Sequence, residues 1–481
     1  WFFPHNYRLS EFNMIDILLI NPPIALSQWE SKLGSKLSPM GLLSLASYVR
    51  ERDISVKIID AYNLGIDIKS VLDQIKEESP AYVGITATTN MIYSAAQMAK
   101  EIKEAFPDII TIIGGSHVTA LPEDTINQFK HFDVGIYGEG EKTLFELIVS
   151  DKIDRNIDGI IFRNNGKVVK TAVRDYIKNL DDLPFPAYDL LPNFPDFYRP
   201  SPNNYSRLPI APVISSRGCP YSCSFCAQSV FGRHLRACSV DYLISLLEYL
   251  QNRYGIKEVC FFDDIFLLNK KKLYEFIEKK EKRKLDVSWS CEGRADRSDE
   301  RLFRDMRKAG CWQISFGLES GSQQILDYFN KNMKVDAIWQ TLNSVNKANI
   351  KSRAYFIIGS PPETARTLED TRKLALNAPL DEILISFFTP LPGSAAYNDI
   401  FASTKIKDFT KIDTFLVNYI PPNLNEEILV DFMNRLYKSF YLHPKRLIRY
   451  FFMLFNRHKT IHLINAFLAF VKLTFGKRLP E

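Results

Sequence analysis

Three of the seven cysteines in this 481-residue chain lie in one short segment, with the spacing Cys-x3-Cys-x2-Cys at Cys219, Cys223 and Cys226. Thiolates are soft ligands that suit iron–sulfur clusters, zinc and copper(I). Three thiolates leave one iron of a four-iron cluster without a protein ligand, and an exogenous ligand can bind there. The spacing therefore predicts a cluster with one open iron.

A structural zinc site is the main alternative, and it needs a fourth Cys or His nearby. Cys238 and His234 are available, but no second Cys-x2-Cys pair surrounds them. A disulfide framework fits less well, because seven cysteines in a chain of this length do not pair evenly. The spacing favours the cluster over both alternatives.

An aromatic residue, Phe225, directly precedes the last of the three cysteines. With it, the segment resembles the cluster loop of the radical S-adenosylmethionine (SAM) enzymes. The resemblance implies a 4Fe–4S cluster on Cys219, Cys223 and Cys226. It also implies that the methionine amine and carboxylate of SAM bind the fourth iron, with Phe225 beside the cofactors.

Composition limits the classes of partner and the compartment. A net charge of +5 is small for this length and does not predict binding to nucleic acid. Residues 1–14 lack the charged start and apolar core of a secretory signal, and no segment has the uninterrupted apolar length that spans a bilayer. Thiols that hold a cluster need a reducing compartment. We therefore expect a cytoplasmic protein.

Apolar runs alternate with helical patterns over residues 14–150. Such alternation predicts an α/β, doubly wound, Rossmann-like domain with a parallel sheet that binds ligands at the carboxyl ends of its strands. The predicted strands are residues 15–20, 55–59, 81–86, 109–113 and 133–137.

Small residues close two of these strands, namely Thr86 and Thr88 on one and Gly114 and Gly115 on the next. The dinucleotide fingerprint G-x-G-x-x-G is absent after the first strand. The arrangement resembles cobalamin-binding domains, and the resemblance implies that these four residues contact cobalamin. A flavodoxin-like domain that binds another ligand, or none, is the alternative.

One departure from the cobalamin pattern concerns the cobalt ligand. Some cobalamin proteins carry Asp-x-His-x-x-Gly after the first strand, and this chain has Asn-Pro-Pro at 21–23. The resemblance then implies base-off cobalamin with no His on cobalt. His117 follows the glycine pair, and we interpret it as a hydrogen-bonding or surface residue rather than an axial ligand.

Residues 151–210 are interpreted as a linker. Residues 157–163 and 167–173 can form a hairpin around the turn at 164–166. The Pro- and Asp-rich stretch 180–195 cannot continue a helix or strand. It resembles the linker between cobalamin and radical SAM domains, so we place the domain boundary here.

Strand and helix patterns alternate again over residues 211–395 and predict a partial β/α barrel with its function at the carboxyl ends of the strands. The predicted strands are residues 213–215, 258–262, 287–291, 313–317, 353–358 and 382–388. Three further cysteines, Cys260, Cys291 and Cys311, lie in or beside these runs and are interpreted as buried small hydrophobic residues.

Charged residues follow two of the barrel strands. The radical SAM resemblance implies that Asp263 or Asp264 accepts hydrogen bonds from the methionine ammonium of SAM. It also implies that Arg294 offers its planar fork to the methionine carboxylate.

The later strands end in residues suited to the rest of SAM. By the same resemblance, Glu319 and Ser320 hold the ribose hydroxyls. Ile358, Gly359 and Phe388 form a shelf for adenine. For each of these residues alone, strand-end capping or a surface ion pair is the alternative.

Residues 396–481 are predicted to be mostly helical. Basic residues alternate with large apolar ones over 443–459, and an apolar stretch follows at 461–475. This pattern suits a helix at a membrane surface, or one that packs back on the barrel. The first alternative predicts peripheral membrane contact, which fits a lipid-like substrate.

The resemblance implies radical chemistry. A reduced cluster passes one electron to SAM, whose C5′–S bond breaks to give methionine and a 5′-deoxyadenosyl radical. The radical takes a hydrogen atom from an unactivated carbon of a small-molecule or lipid-like substrate, and methylcobalamin then delivers a methyl group to that carbon. A reducing partner such as flavodoxin or ferredoxin is implied. We assign no catalytic side chain, because the cofactors supply the reactivity.

Two other functions remain open at this point. A cyclase or rearrangement enzyme would use the same cofactors without methyl transfer. A sensor that binds cobalamin or a cluster without turnover is a different class, but it would not need SAM-binding residues at so many strand ends.

Overall fold

The structure is a computed structural model, and it describes residues 15–23, 35–401, 409, 412–444 and 446. The chain forms two compact units. Of the described residues, 15–23 and 41–174 belong to the first unit, and 35–40 and those from Asp175 onward belong to the second.

A seven-stranded sheet forms the first unit, in the order β2-β1-β3-β4-β5-β6-β7. Strands β1–β5 are parallel, whereas β5–β6 and β6–β7 pair antiparallel. The strands are β1 (Ile17–Asn21), β2 (Val56–Asp60), β3 (Tyr82–Thr86), β4 (Ile110–Gly114), β5 (Val134–Ile136), β6 (Ile160–Asn164) and β7 (Lys167–Lys170). Its helices are Met40–Arg50, Ala61–Leu64, Ile68–Glu78, Ile92–Ala105, Ser116–Ala120, Pro122–Gln128 and Glu141–Ser150, with a 3₁₀ turn at Thr89–Met91.

The doubly wound parallel sheet is confirmed, and so is the hairpin. Strands of this sheet are buried on both faces, as their continuous apolar runs predict. Our linker began at residue 151, but the compact unit continues to Arg174. The reason is that β6 pairs with β5 and extends the sheet, which local sequence does not reveal.

Six parallel strands form the main sheet of the second unit, in the order β15-β14-β13-β12-β11-β8, and β9 pairs antiparallel with β10. The strands are β8 (Ile210–Val213), β9 (Ser216–Arg217), β10 (Arg236–Ala237), β11 (Glu258–Phe261), β12 (Ser288–Gly293), β13 (Cys311–Glu319), β14 (Lys351–Ile358) and β15 (Glu382–Phe387). The helices are Val240–Tyr254, Lys270–Lys282, Glu300–Lys308, Gln323–Tyr328, Val335–Lys347, Ala365–Asn377, Ala395–Phe401 and Glu426–Tyr441. Short 3₁₀ turns lie at Leu180–Asp182, Tyr188–Leu190, Pro202–Asn204 and Phe266–Leu268.

Capping residues set where the helices of the second unit begin. The side chains of Ser239, Asn269 and Asp299 each accept a hydrogen bond from a backbone N–H in the first turn that follows them. Along β14, buried and partly buried residues alternate, so one face packs under the helices and the other faces the barrel interior. The predicted partial barrel of six strands is therefore confirmed.

The last described helix, Glu426–Tyr441, protects the edge of this barrel. Tyr441 and Tyr437 place their hydroxyls at the backbone of β15, where they accept hydrogen bonds from the N–H groups of Ile383 and Ile385. No helix among the described residues is long and apolar enough to cross a membrane. The basic and apolar stretch, for which the sequence predicts either a membrane-surface helix or a helix packed on the barrel, lies almost entirely outside the described residues.

Candidate active site

The three cysteines lie on a loop between β9 and β10, and the pairing of these two short strands closes the base of the loop. Inside the loop, Cys219 donates its N–H to the carbonyl of Gly232 at 3.2 Å, and Cys226 donates to that of Cys223 at 3.2 Å. Asn330 holds the loop from outside through the carbonyl and hydroxyl of Ser222. The loop therefore has a defined shape of its own.

The thiols on this loop are close enough to affect one another's ionisation. Burial, together with the neighbouring thiols of Cys223 and Cys219, raises the pKa of Cys226 to about 12. Burial also raises the pKa of Cys219. Iron binding must therefore displace protons from these thiols, as is usual for thiolate ligands.

A single zinc ion is the main alternative to a cluster at these cysteines. Within the part of the chain that the structure describes, no three His, Cys, Asp or Glu side chains are placed to hold one metal ion. A four-iron cluster keeps its cysteines apart, because each binds a different iron. Of the residues considered for zinc, His234 is exposed, and buried Cys238 has Lys272 and two aspartates as its charged neighbours.

Aromatic packing joins the cysteine loop to the predicted adenine shelf. The ring of Phe225 lies 4.9 Å from that of Phe329, edge to face, and Phe329 stacks on Phe388 at 5.9 Å. Phe388 donates its N–H to the carbonyl of Ile358 at 2.7 Å, which ties β14 to the same cluster. The structure thus brings together three residues that the sequence predicted separately.

The two adjacent aspartates have different environments. Asp263 is buried, and it accepts three hydrogen bonds of 2.6 Å from the N–H and hydroxyl of Ser215 and the hydroxyl of Ser216. Asp264 is exposed and accepts one from the N–H of Gly218, beside the cysteine loop, at 3.1 Å. Burial raises the pKa of Asp263, and partial enclosure by the surrounding protein also raises that of Asp264, although its side chain is accessible to solvent. Asp264 is therefore the more accessible of the two carboxyls and the one with fewer hydrogen bonds from the protein.

Arg294 lies under the cysteine loop, with its guanidinium 3.8 Å from the ring centroid of Tyr221. Its Nε donates to Asp296 at 2.8 Å, and its Nη2 donates to the carbonyl of Lys331 at 2.5 Å. Part of the predicted carboxylate fork is thus already used to hold the loop that carries Lys331.

Sequence reasoning missed Lys331, which forms a buried ion pair with Glu319. Its ammonium lies 2.5 Å from Oε1 of Glu319 and 5.7 Å from the ring centroid of Phe225. Glu319 has a φ of +64°, which is rare outside glycine and common at ligand sites. Gly317 leaves room for the pair, since a Cβ there would lie 2.6 Å from Glu319 Oε1. A lone Lys after a short helix carries no sequence signal for this.

The remaining predicted SAM contacts lie on the same edge of the barrel. Ser320 is fully buried, and its hydroxyl lies 2.9 Å from that of Thr371. Gly359 follows β14 and donates its N–H to buried Glu363 at 3.3 Å. Burial raises the pKa of Glu363 to about 7. The ribose and adenine roles of these residues stay predictions.

In the first unit, the ends of β3 and β4 lie side by side, with Thr86 opposite Gly114. A Cβ on Gly114 would meet no protein atom within 4 Å, so there is open space beside it. Gly115 has a φ of +103°, and a Cβ there would lie 2.6 Å from the carbonyl oxygen of Ala87. Thr88 is exposed at the same edge. The edge is therefore smooth and open, as a bulky cofactor tail requires.

His117 is buried behind this edge. Its Nδ1 lies 3.3 Å from the hydroxyl oxygen of Thr89. Burial lowers the pKa of His117 to about 4, so the ring is neutral at pH 7. This environment agrees with a hydrogen-bonding role and not with a surface one.

Comparison with known families accounts for both edges. Residues 31–148 match the family model of the B12 binding domain, and residues 213–375 match that of the radical SAM superfamily. An uncharacterised methyltransferase of Pyrococcus horikoshii is 34% identical over 445 residues, which cover 91% of this chain and 94% of the relative. The chain is a cobalamin-binding radical SAM enzyme. Its cofactors are a 4Fe–4S cluster, SAM and cobalamin.

Two further likenesses extend the comparison of this radical SAM enzyme. The anaerobic magnesium-protoporphyrin IX monomethyl ester cyclase of Cereibacter sphaeroides is 28% identical over 433 residues, which cover 87% of this chain and 69% of the cyclase. The structure of the cobalamin-dependent SAM radical enzyme OxsB superposes with a TM-score of 0.72, at 17% identity, over 95% of this chain and 72% of OxsB. The second likeness concerns the fold alone.

Proposed function

We propose that this radical SAM enzyme transfers a methyl group to an unactivated carbon of a small molecule. The observation that carries the proposal is the presence of two cofactor edges in one chain, a loop with three cysteines that would leave one iron of a cluster to SAM, and an open glycine edge for cobalamin. The Pyrococcus relative, which is named a methyltransferase, supports it. When bound, these cofactors and SAM supply a radical that removes hydrogen from carbon and a methyl group that replaces it.

The protein's part is to bind, orient and shield. Cys219, Cys223 and Cys226 would hold the cluster and would leave its fourth iron to SAM. We propose that Asp264, rather than Asp263, accepts the methionine ammonium, because it is the accessible carboxyl of the two and contacts the backbone of Gly218 beside the cysteine loop. Asp263 instead ties Ser215 and Ser216 to β11.

For the methionine carboxylate we propose two cations, Arg294 and Lys331. Lys331 uses one of its three N–H donors on Glu319, which leaves two for a ligand. Arg294 keeps its guanidinium flat against Tyr221, and this fixes the direction of its remaining donors. Phe225 and Phe388 then offer an apolar wall to adenine.

The test uses SAM with a deuterated methyl group. Full-length protein, reconstituted without oxygen and reduced with titanium citrate, is incubated with a metabolite extract from a strain that lacks the gene. We expect methionine, 5′-deoxyadenosine and a product heavier by the labelled methyl. The Cys223→Ala protein is the control and should give none of these.

Cyclisation without methyl transfer is the second candidate, and the likeness to the Cereibacter cyclase favours it. The same experiment separates the two. A cyclase forms 5′-deoxyadenosine together with a product that carries no label. If neither 5′-deoxyadenosine nor methionine forms with any extract, both candidates are wrong.

A further inference from the structure

A cavity of about 230 Å³ lies inside the barrel of the second unit. Inward-facing side chains of neighbouring strands form its wall, and Cys260, Glu292, Gln313, Arg353 and Tyr355 are among them. Among the described residues, none of those predicted to contact SAM lines it. The cavity wall therefore does not include the predicted SAM contacts, and the cavity volume is below the usual range for whole drug-sized ligands. It suits one polar group of a substrate.

The two cations of the cavity wall are already engaged. Arg353 donates from Nε and Nη2 to Oε2 of Glu382, at 2.8 and 2.5 Å, and from Nη2 to Oδ1 of Asn204 at 2.6 Å. The ammonium of Lys36 lies 3.4 Å from the ring centroid of Phe197. Both cations therefore already have partners within the protein, and we do not expect either of them to bind a carboxylate of the substrate.

Glu292 differs, because a neutral hydroxyl is its hydrogen-bond partner. Tyr355 donates to its Oε1 at 3.2 Å. Burial raises the pKa of Glu292, and the carboxylates of Asp264 and Glu319 raise it further, while Tyr355 and Arg353 lower it. Since Asp264 and Glu319 lie at the SAM edge, Glu292 stands between that edge and the cavity.

We propose that this cavity binds the substrate and that Glu292 accepts a hydrogen bond from a cationic nitrogen of the substrate, such as an amine. The assignment deepens the proposed function and rests on it. A cationic donor at this point would compensate the charge of a partly buried carboxylate whose hydrogen-bond partner is a hydroxyl, while the cation that acts on it, Arg353, is already paired with Glu382. A hydrocarbon group would enclose Glu292 further without compensating its charge, and an anionic group would meet repulsion from it. The lipid-like substrate expected from the tail is therefore the less suited class for this cavity.

Matched probes test the assignment on the full-length reconstituted protein. Benzylamine, benzyl alcohol, toluene and phenylacetate have similar sizes and weak benzylic C–H bonds, and they differ in the head group. Each is deuterated at the benzylic carbon and incubated with SAM and titanium citrate, which donates the electron for SAM cleavage. The deuterium that moves to C5′ is measured as heavy 5′-deoxyadenosine. Binding of each probe is measured separately by ligand-observed NMR, without reductant.

We expect benzylamine to transfer deuterium at least tenfold more efficiently than toluene or phenylacetate, and to bind in the NMR experiment. Glu292→Gln should lower both signals for benzylamine about tenfold and leave those for benzyl alcohol unchanged. Cys260→Ala, which alters the same cavity without a change of charge, is the matched control and should keep the preference. The affinity for SAM, measured in the same proteins, reports whether the barrel is intact.

Several outcomes overturn the assignment. These are a preference for toluene or phenylacetate, a benzylamine preference that survives Glu292→Gln, and formation of 5′-deoxyadenosine with no deuterium from benzylamine. If no 5′-deoxyadenosine forms with any probe, the proposed function fails. The NMR preference and its dependence on Glu292 then still decide the assignment of the cavity.

Discussion

The two cofactor edges are both built from the carboxyl ends of parallel strands, yet they work in opposite ways. The edge in the first unit offers room, because Gly114 has open space beside it and Gly115 lies against backbone. The edge in the second unit instead carries side chains that can bind a metal cluster or a charged ligand. These are three thiols, Asp264, Arg294 and the Glu319–Lys331 pair. A large cofactor with its own reactive metal needs a smooth bed, whereas a small cluster and a charged co-substrate need ligands. Substitutions should therefore fail differently at the two edges.

The largest effect is expected at the cysteines. Replacing any one of Cys219, Cys223 or Cys226 by alanine removes an iron ligand, so we expect loss of the iron–sulfur absorbance and of SAM cleavage. Cys311→Ala is the control, since that thiol lies in β13 away from the loop, and it should retain the cluster. Full SAM cleavage in a loop variant would contradict the cluster assignment.

The two glycines of the cobalamin edge should separate binding from stability. Gly115→Val forces a β-branched residue to a φ of +103° and against Ala87, so the first unit should lose about 2–5 kcal/mol of unfolding free energy. A Cβ at Gly114 meets no protein atom within 4 Å, so we expect the Gly114→Val protein to stay near wild type in stability.

For Gly114→Val, cobalamin retention after gel filtration should nevertheless fall at least tenfold, because the new side chain fills the space for the cofactor. Thermal unfolding of the same samples provides the stability measurement. If the Gly114→Val protein retains cobalamin as wild type does, the assignment of the cobalamin site to this edge is wrong.

Within the second unit, the neighbouring residues Asp263 and Asp264 should separate an effect on stability from an effect on SAM binding. Asp263→Asn weakens three hydrogen bonds to a buried carboxylate, and we expect a loss of about 2–4 kcal/mol in unfolding free energy. Asp264→Asn should leave stability unchanged and weaken SAM binding about tenfold, or about 1.4 kcal/mol. Equilibrium dialysis with SAM and with decarboxylated SAM gives the affinities. Both ligands should lose affinity equally, because both keep the amine that we propose Asp264 contacts and differ only in the methionine carboxylate.

The stabilities of the two units should also depend on pH in opposite directions. In the folded protein, burial lowers the pKa of His117 to about 4. As pH falls, the unfolded chain therefore binds a proton at this histidine before the folded chain does. The first unit loses stability between about pH 6.5 and pH 4. Glu258 and Glu363 have pKa values raised to about 7, so in the second unit stability decreases as pH rises from about 4.5 to 7. Each group contributes at most roughly 3 kcal/mol.

Hydrogen exchange distinguishes the units in this experiment. After correction for intrinsic rates, helix Ile92–Ala105 should lose protection between pH 7 and 5, and helix Ala365–Asn377 should gain it. In His117→Asn the first change should shrink, and in Glu363→Gln the second should shrink. If protection changes in the same direction in both helices, the predicted opposite pH dependence of the two units is wrong.

Much of the fold could be read from the residues. Apolar runs with caps and turns specify where strands begin and end, and this local information sufficed for both parallel sheets and for the hairpin at 164–166. The limit of the first unit was not readable, because the pairing of β6 with β5 joins segments by contact and not by local pattern.

The sequence by itself determined the chemistry of the cofactors, since the number and spacing of three thiols and the absence of side chains at a strand end are properties of the chain. Only the tertiary structure decided which charged groups face the site. It buries Asp263 and leaves Asp264 accessible. It also pairs Lys331 with Glu319 and places Glu292 in the wall of the barrel cavity. The physical reason is that burial and partners, which arise between distant segments, determine whether a charged side chain is used by the fold or left for a ligand.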